Sequence, residues 1–340
     1  MQLQQRINAF VQLGVFLNQL SMAKEGSEMV QQLQLVKANN GWFTEDNLRF
    51  SCKSWSRALS EENLQQWLSP YPIQSKDPKI VAIVMAGNVP LVGFHDFISA
   101  LISGNKVLAK LSSNDKHLLP YLAKQLVSIE AGFKDHISFT EGKLEKFDAV
   151  IATGSNNTAR YFDYYFGKYP NIIRKNRNSV AVLTGTETTG QLESLADDIF
   201  RYFGLGCRNV SKIYIPKDYD FDPFFNAMFS WKHVINDHKY INNYDYNKAV
   251  YLMSLFNILD NEFLLLKEDK GFSSPISVVF YEYYDSLENL AQHFSENKEN
   301  IQCVISEKGL DDAIPFGKAQ TPNLWDYADG IDTLEFLLEL

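Results

Sequence analysis

The sequence predicts an α/β fold built on mostly parallel sheet in two layers, and three observations predict it. The run Ile80-Val81-Ala82-Ile83-Val84-Met85 is continuously apolar and rich in β-branched residues, as a strand buried on both faces requires. A helical stretch over 92–103 and a second strand at Lys106–Lys110 follow within the ~30 residues of a parallel crossover. The same alternation continues as far as an apolar run at 303–306.

In chain order, residues 1–78 read as a helical segment. Ile7, Phe10, Val11, Leu13 and Leu17 recur at helical spacing, and Ser60-Glu61-Glu62 opens a later helix. Pro70, Pro72 and Pro78 end that texture. After the first strand come the Gly87-Asn88 turn and the 92–103 helix, which Gly104-Asn105 stops. A helix over 116–129, strands at 137–140 and 149–152, and a helix over 156–166 follow. Further strands are expected at 180–183, 212–215, 276–281 and 303–306. The Asn/Tyr-rich stretch 236–247 reads as a polar helix start or loop.

With 340 residues, 45% hydrophobic and 21% charged, the chain can bury the cores of two domains. Its 32 Lys and Arg against 41 Asp and Glu give a formal charge of -9, so no general attraction to nucleic acid or anionic lipid is expected. No apolar run reaches the ~20 residues of a membrane span, and the N-terminal stretch is broken by glutamines and an asparagine with no cleavage site after it. The expected location is cytoplasmic, where a lone thiol stays reduced. Cys52, Cys207 and Cys303 stand far apart, which excludes a disulfide framework and leaves no paired zinc spacing.

Gly204-Leu205-Gly206-Cys207-Arg208-Asn209 is the most informative cysteine setting. The glycines allow close approach, and Arg208 and Lys212 supply positive charge that favours a thiolate; the alternative is a small buried side chain. Cys52 and Cys303 lack that setting. Asn88, in a turn after the first strand, can donate to an oxyanion or merely cap a helix or fill the turn. Thr153-Gly154-Ser155 lies between strand and helix, where backbone N–H groups suit a pyrophosphate. Neither G-x-G-x-x-G nor a Walker A motif occurs. His233 and His238 are five apart, a spacing that favours a surface loop over a metal site, and Asp96, in a helix start, reads as a capping residue.

In order, these pieces resemble the aldehyde dehydrogenase superfamily, and within it the LuxC family of acyl-CoA reductases. Gly87-Asn88-Val89-Pro90 through Ser103-Gly104-Asn105 and Lys110-Leu111-Ser112-Ser113 is similar to the superfamily's N-x-P … A-G-N-x-V-V-x-K-P-S-E block. Thr153-Gly154-Ser155 resembles its F-T-G-S turn, Gly206-Cys207 its G-Q-x-C nucleophile, and 317–322 with 327–330 the reductase ending. The resemblance covers 79–340 and implies two Rossmann-like parallel-sheet domains with a helical N-terminal segment. The divisions it implies are 1–78, an NAD(P)-binding domain at 79–175, a catalytic domain at 176–315, and a C-terminal segment at 316–340 that could oligomerise.

It further implies that Cys207 is the acyl-accepting nucleophile and that Asn88 forms the oxyanion hole with the Cys207 N–H. Lys110, Ser112, Ser113, Gly154 and Ser155 would hold the dinucleotide; no metal is implied. Two departures matter. The stretch Ile172-Ile173-Arg174-Lys175-Asn176-Arg177-Asn178-Ser179 has no carboxylate where hydrolytic relatives carry their water-activating glutamate, and 271–275 lacks the glutamate that contacts the nicotinamide ribose. Ser113, in place of an acidic residue, would not repel a 2′-phosphate, which favours NADPH, with NADH the alternative.

The expected activity is NADPH-dependent reduction of an acyl-CoA, a fatty acyl thioester first, to an aldehyde through a Cys207 thioester. The alternatives are reduction of another activated acyl group such as an acyl-phosphate, or a catalytically silent acyl-binding or assembly subunit. Arg174, Lys175, Arg177 and Arg208 are the local cations expected to meet the anionic CoA. Phe162, Tyr164, Tyr165, Phe224, Phe225 and Phe229 are candidates for an acyl tunnel or ordinary core. Expected partners are the substrate and either a second copy of the chain or an acyl-transferring enzyme, since the apolar tail 334–340 reads as needing a partner surface.

Overall fold

Short β-branched runs between amphipathic helices give parallel strands whose two faces are both covered, and the chain builds two such units. The computed structural model describes residues 1–74 and 76–340. One unit comprises Met1–Asn176 with Pro322–Leu340, the other Arg177–Thr321.

The first unit opens with four helices, α1 (Leu3–Ser21), α2 (Glu28–Asn39), α3 (Glu45–Ala58) and α4 (Glu61–Leu68). Ser27, Thr44 and Ser60 cap the last three by accepting from an N–H three residues on. Then follow β1 (Ile80–Val84), α5 (Phe94–Ile102), β2 (Lys106–Lys110), α6 (Leu118–Ile129), β3 (Ile137–Thr140), β4 (Ala149–Thr153), α7 (Asn156–Phe166) and β5 (Asn171–Arg174). All five strands are parallel in the order β3-β2-β1-β4-β5, so the winding reverses between β1 and β4. Such a reversal opens a crevice at the C-terminal strand ends.

The helical segment is not an appendage. Phe10, Leu13 and Leu17 of α1 and Trp67 of α4 share one core with Phe97 of α5 and with Leu324, Leu334 and Leu337 near the C-terminus. The apolar tail therefore finds cover in its own chain. Trp67 Nε1 donates to the Tyr327 hydroxyl at 2.7 Å, and Lys76 Nζ donates to the carbonyls of Leu337 and Leu338.

The second unit runs β6 (Asn178–Val182), α8 (Thr189–Phe200), β7 (Val210–Pro216), α9 (Phe221–Met228), α10 (His238–Met253), β8 (Ile258–Asp260), β9 (Leu265–Glu268), β10 (Val278–Tyr284), α11 (Leu287–Glu296) and β11 (Ile301–Ile305). Its sheet, ordered β11-β6-β7-β10-β9-β8, is parallel except for the antiparallel edge pair β8 and β9. The stretch 236–247 is helical: Asp237 caps α10 by accepting from the N–H groups of Lys239 and Tyr240. The last helix, α12 (Thr333–Leu338), belongs to the first unit. Among the described residues no helix is long and apolar enough to cross a membrane.

Candidate active site

In the first unit, the expected dinucleotide residues gather at the C-terminal ends of adjacent strands. Val84 is in register with Lys110 on one side and Ala152 on the other, so Asn88, Lys110 and Gly154 follow neighbouring strand ends. Gly87 is there for space: a Cβ on it would lie 2.4 Å from Ser112 Oγ, so a larger residue would push the β1 and β2 loops apart. Asn88 is half-buried in that loop. It does not cap α5, which starts after Gly93 with no side-chain cap.

Sequence reasoning missed what fixes these loops. Asn40 Nδ2 donates to the Gly87 carbonyl at 3.2 Å and Asn39 Nδ2 to the Ser113 carbonyl at 3.3 Å, so the end of α2 braces both. Asp115 is buried in the loop before α6, and its Oδ1 has no hydrogen-bond partner among the described residues. Burial pushes its carboxyl up to about 6, partly offset by the nearby backbone of Leu118 and Leu91. Nothing in the local sequence marks a brace whose partners lie 47 and 74 residues away.

The residues present fit a dinucleotide. Lys110 is half-buried, and among the described residues no hydrogen bond or ion pair engages its ammonium. Ser113 is exposed. Ser112 Oγ accepts from the Asn114 N–H at 3.2 Å. Gly154 packs so tightly that a Cβ would meet Phe162 at 2.9 Å, while Ser155 Oγ accepts from the Thr158 N–H at 3.3 Å as the cap of α7. The Ser155 hydroxyl thus serves the helix, and what this turn offers a phosphate is the α7 N-terminus itself.

In the second unit, Cys207 is exposed in the turn between α8 and β7. Tyr202 and Phe203, both buried, adopt left-handed φ of 54° and 57° before it, a conformation that non-glycine residues hold only when packing imposes it. Asn209 is the tie. Its Oδ1 accepts from the Gly206 N–H at 2.8 Å, and its Nδ2 donates to the carbonyls of Asp198 at 3.0 Å and Arg201 at 2.8 Å. The Cys207 carbonyl accepts from Ser179 Oγ at 2.9 Å. The turn is held at both flanks while the thiol stays open to solvent.

The other thiols differ. Cys52 is fully buried, and desolvation pushes it up to about 12. Cys303, half-buried on β11, lies with Sγ 2.9 Å from Ser179 Oγ. Iodoacetamide is therefore expected to modify Cys207 in the native chain and leave Cys52 untouched until unfolding, as peptide mass mapping would read.

Several expectations are corrected. Asp96 is no helix-start cap: buried on α5, it forms an ion pair with Arg174 at 2.6 Å. Arg174 consequently is not a surface cation for CoA. His233 lies in a 3-10 helix, Phe229–Asn236, and His238 is the first residue of α10, so neither sits in an irregular loop. Among the described residues no group of His, Cys, Asp and Glu could hold a metal. Of the aromatic candidates, Phe224 is core, whereas Tyr164, Tyr165 and Phe229 are exposed.

The sequence model of the acyl-CoA reductase (LuxC) family matches residues 34–224, more than half of the chain and including both Asn88 and Cys207. The chain belongs to the LuxC acyl-CoA reductase family. A LuxC-family chain is an oxidoreductase working between the acyl and aldehyde levels. Solved aldehyde dehydrogenases share its fold. The indole-3-acetaldehyde dehydrogenase AldA of P. syringae, in complex with NAD+ and IAA, superposes with a TM-score of 0.66 at 13% identity, covering 92% of this chain and 74% of that one. KauB of Pseudomonas aeruginosa gives 0.65 at 11% identity over 94% and 75%. Aldehyde dehydrogenase 21 of Physcomitrella patens, in complex with succinate, gives 0.66 at 13% over 92% and 75%. A search of the curated proteins finds no sequence match.

Proposed function

We propose that this LuxC-family chain reduces an acyl-CoA to the aldehyde with NADPH, through an acyl-enzyme on Cys207. The observation that carries the reading is an exposed cysteine on a braced turn, inside the span that matches a family of acyl-CoA reductases. The Cys207 thiolate attacks the thioester carbonyl, a new C–S bond forms, and the CoA thiolate leaves. Asn88 is assigned the amide that donates to the oxyanion of the tetrahedral intermediate.

Lys110, Ser112, Ser113 and the α7 N-terminus at Gly154 and Ser155 would hold the nicotinamide dinucleotide, whose chemistry is delivery of a hydride to the acyl carbon. An exposed, uncharged Ser113 favours the 2′-phosphorylated form. Collapse of the thiohemiacetal on Cys207 then expels the aldehyde and returns the thiolate. A thiolate leaving group needs little acid assistance, and the absence of a carboxylate from 172–179 leaves the thioester without a water-activating base in that stretch.

The test is NADPH oxidation dependent on acyl-CoA, run from acetyl-CoA to palmitoyl-CoA with the acyl-phosphates alongside. Turnover with acyl-CoA and not with acyl-phosphate supports the proposal; oxidation with neither sinks it. In the same assay Asn88→Ala is expected to lower kcat by roughly 10²–10³ while NADPH binding, read by fluorescence, stays within a factor of about two.

A further inference from the structure

We propose that Asp198 is a positioning residue for Cys207: one buried side chain fixes the loop at 317–319 and, through its own helix end and Asn209, the turn that carries the nucleophile. The inference rests on Cys207 being that nucleophile. Asp198 lies in the last turn of α8 and is wholly buried. Its carboxylate accepts from the Gly317 N–H at 2.6 Å and the Ala319 N–H at 3.1 Å, residues more than a hundred positions away. Its main-chain carbonyl accepts from Asn209 Nδ2, which belongs to the Cys207 turn. Arg208, the next residue after Cys207, closes the ring by donating to the Ala319 carbonyl at 3.4 Å. Both neighbours of Cys207 are thus tied to the assembly: Gly206 through the Asn209 side chain and Arg208 through the loop.

A neutral side chain cannot do the same. Two converging N–H groups need an acceptor at each oxygen, which only the ionised carboxylate supplies at full strength. Gly317 is committed to the arrangement as well, with a left-handed φ of 75° and room for a Cβ only 3.1 Å from Ser194 Cβ on α8. The charged groups around the site are Asp197 on the same helix, which Arg201 holds at 2.7 Å, Arg208 in the turn, Lys318 in the loop, and Glu307, which accepts from the Phe316 N–H. Burial pushes the Asp198 carboxyl up to about 7; the two amides and Arg208 pull it back and Asp197 adds to the rise. Because the carboxyl in the closed, buried arrangement sits above that of a solvated aspartate, deprotonation through neutrality works against the closed clamp, and opening is favoured as pH rises.

The experiment is carboxamidomethylation of Cys207 by iodoacetamide in the full chain, followed from about pH 5.5 to 9. The wild-type rate is expected to depend on two ionisations, the thiol's and that of Asp198. Asp198→Asn should show the thiol's alone and run roughly tenfold slower at pH 8, with Asp198→Glu restoring the second ionisation and most of the rate. An Asp198→Asn profile of wild-type shape, slowed or not, overturns the proposal. Should that variant not fold, hydrogen exchange in the wild-type peptide 315–321 decides: after correction for intrinsic exchange, protection should be smaller at pH 8 than at pH 6, and equal protection overturns it. Neither readout needs an acyl-CoA, so a chain that fails to form an acyl-enzyme counts against the proposed reaction and not against the clamp.

Discussion

Cys207→Ala is expected to gain no acyl mass on mixing with acyl-CoA and to lose on the order of 10⁴-fold or more in turnover, while still binding NADPH. The effect is large because no other thiol can substitute. Cys52 sits in the first unit's core with its proton held to about pH 12, and Cys303 of β11 is engaged with Ser179 of β6. Removing a nucleophile eliminates the covalent route instead of slowing it, unlike loss of one oxyanion donor, which costs only part of the transition-state stabilisation. Intact-mass spectrometry of the quenched mixture reads the outcome. An acyl adduct on Cys207→Ala would falsify the assignment, and an adduct lost on Cys303→Ser with Cys207 intact would move the nucleophile to β11.

What could be read from the sequence divides along a physical line. Strands buried on both faces announce themselves, because burial demands continuous apolar, β-branched runs; β1 and β4 come within one residue of the bounds those runs give. Of the edge strands, β3 and β11 were legible, whereas β5 and β8, with the short β9, were not. Turns after strands were legible through glycine, since Gly87 and Gly154 mark places where a Cβ would collide. Cys207 was legible through its own glycines. The supports were not: Asn39, Asn40, Asp198 and Asn209 are polar residues of ordinary local setting whose partners are backbone groups supplied by the fold. A side chain that bonds to distant main chain leaves no spacing to detect.

The tail shows the same limit. Its apolar residues asked for a covering surface, and the sequence could not say whose. Leu334 and Leu337 are fully buried in the first unit, and Tyr71, whose hydroxyl donates to Asp332 at 2.5 Å, ties the segment to the end of the helical region. A core that joins the beginning and end of the chain makes helices α1 to α4 part of the platform beneath the loops after β1 and β2, which α2 braces directly.

Arg174→Ala is expected to cost about 3–5 kcal/mol of stability, and Asp96→Ala about as much, because each leaves one buried charge without its partner. Arg174 ends β5, donates to Asp96 of α5 at 2.6 Å, and donates to Thr333 Oγ1 at 2.8 Å at the start of α12, so one guanidinium joins a strand, a helix and the returning C-terminus. Both charged side chains are only 6% exposed, so solvent neither screens the pair nor rescues a lone member. Urea unfolding followed by tryptophan fluorescence isolates the effect, since Trp42, Trp55, Trp67 and Trp325 lie in the first unit and Trp231 alone in the second. The paired change Arg174→Met with Asp96→Leu should recover to within about 1–2 kcal/mol of wild type, because desolvating two charges already consumes most of what their attraction returns. A single variant as stable as wild type would mean the pair is hydrated. The same geometry bears on the chemistry. Arg174 stands in the stretch 172–179, which the resemblance sets against the water-activating glutamate of hydrolytic aldehyde dehydrogenases, and Arg174→Glu would set a second carboxylate against buried Asp96; unfolding, not hydrolysis, is the expected result.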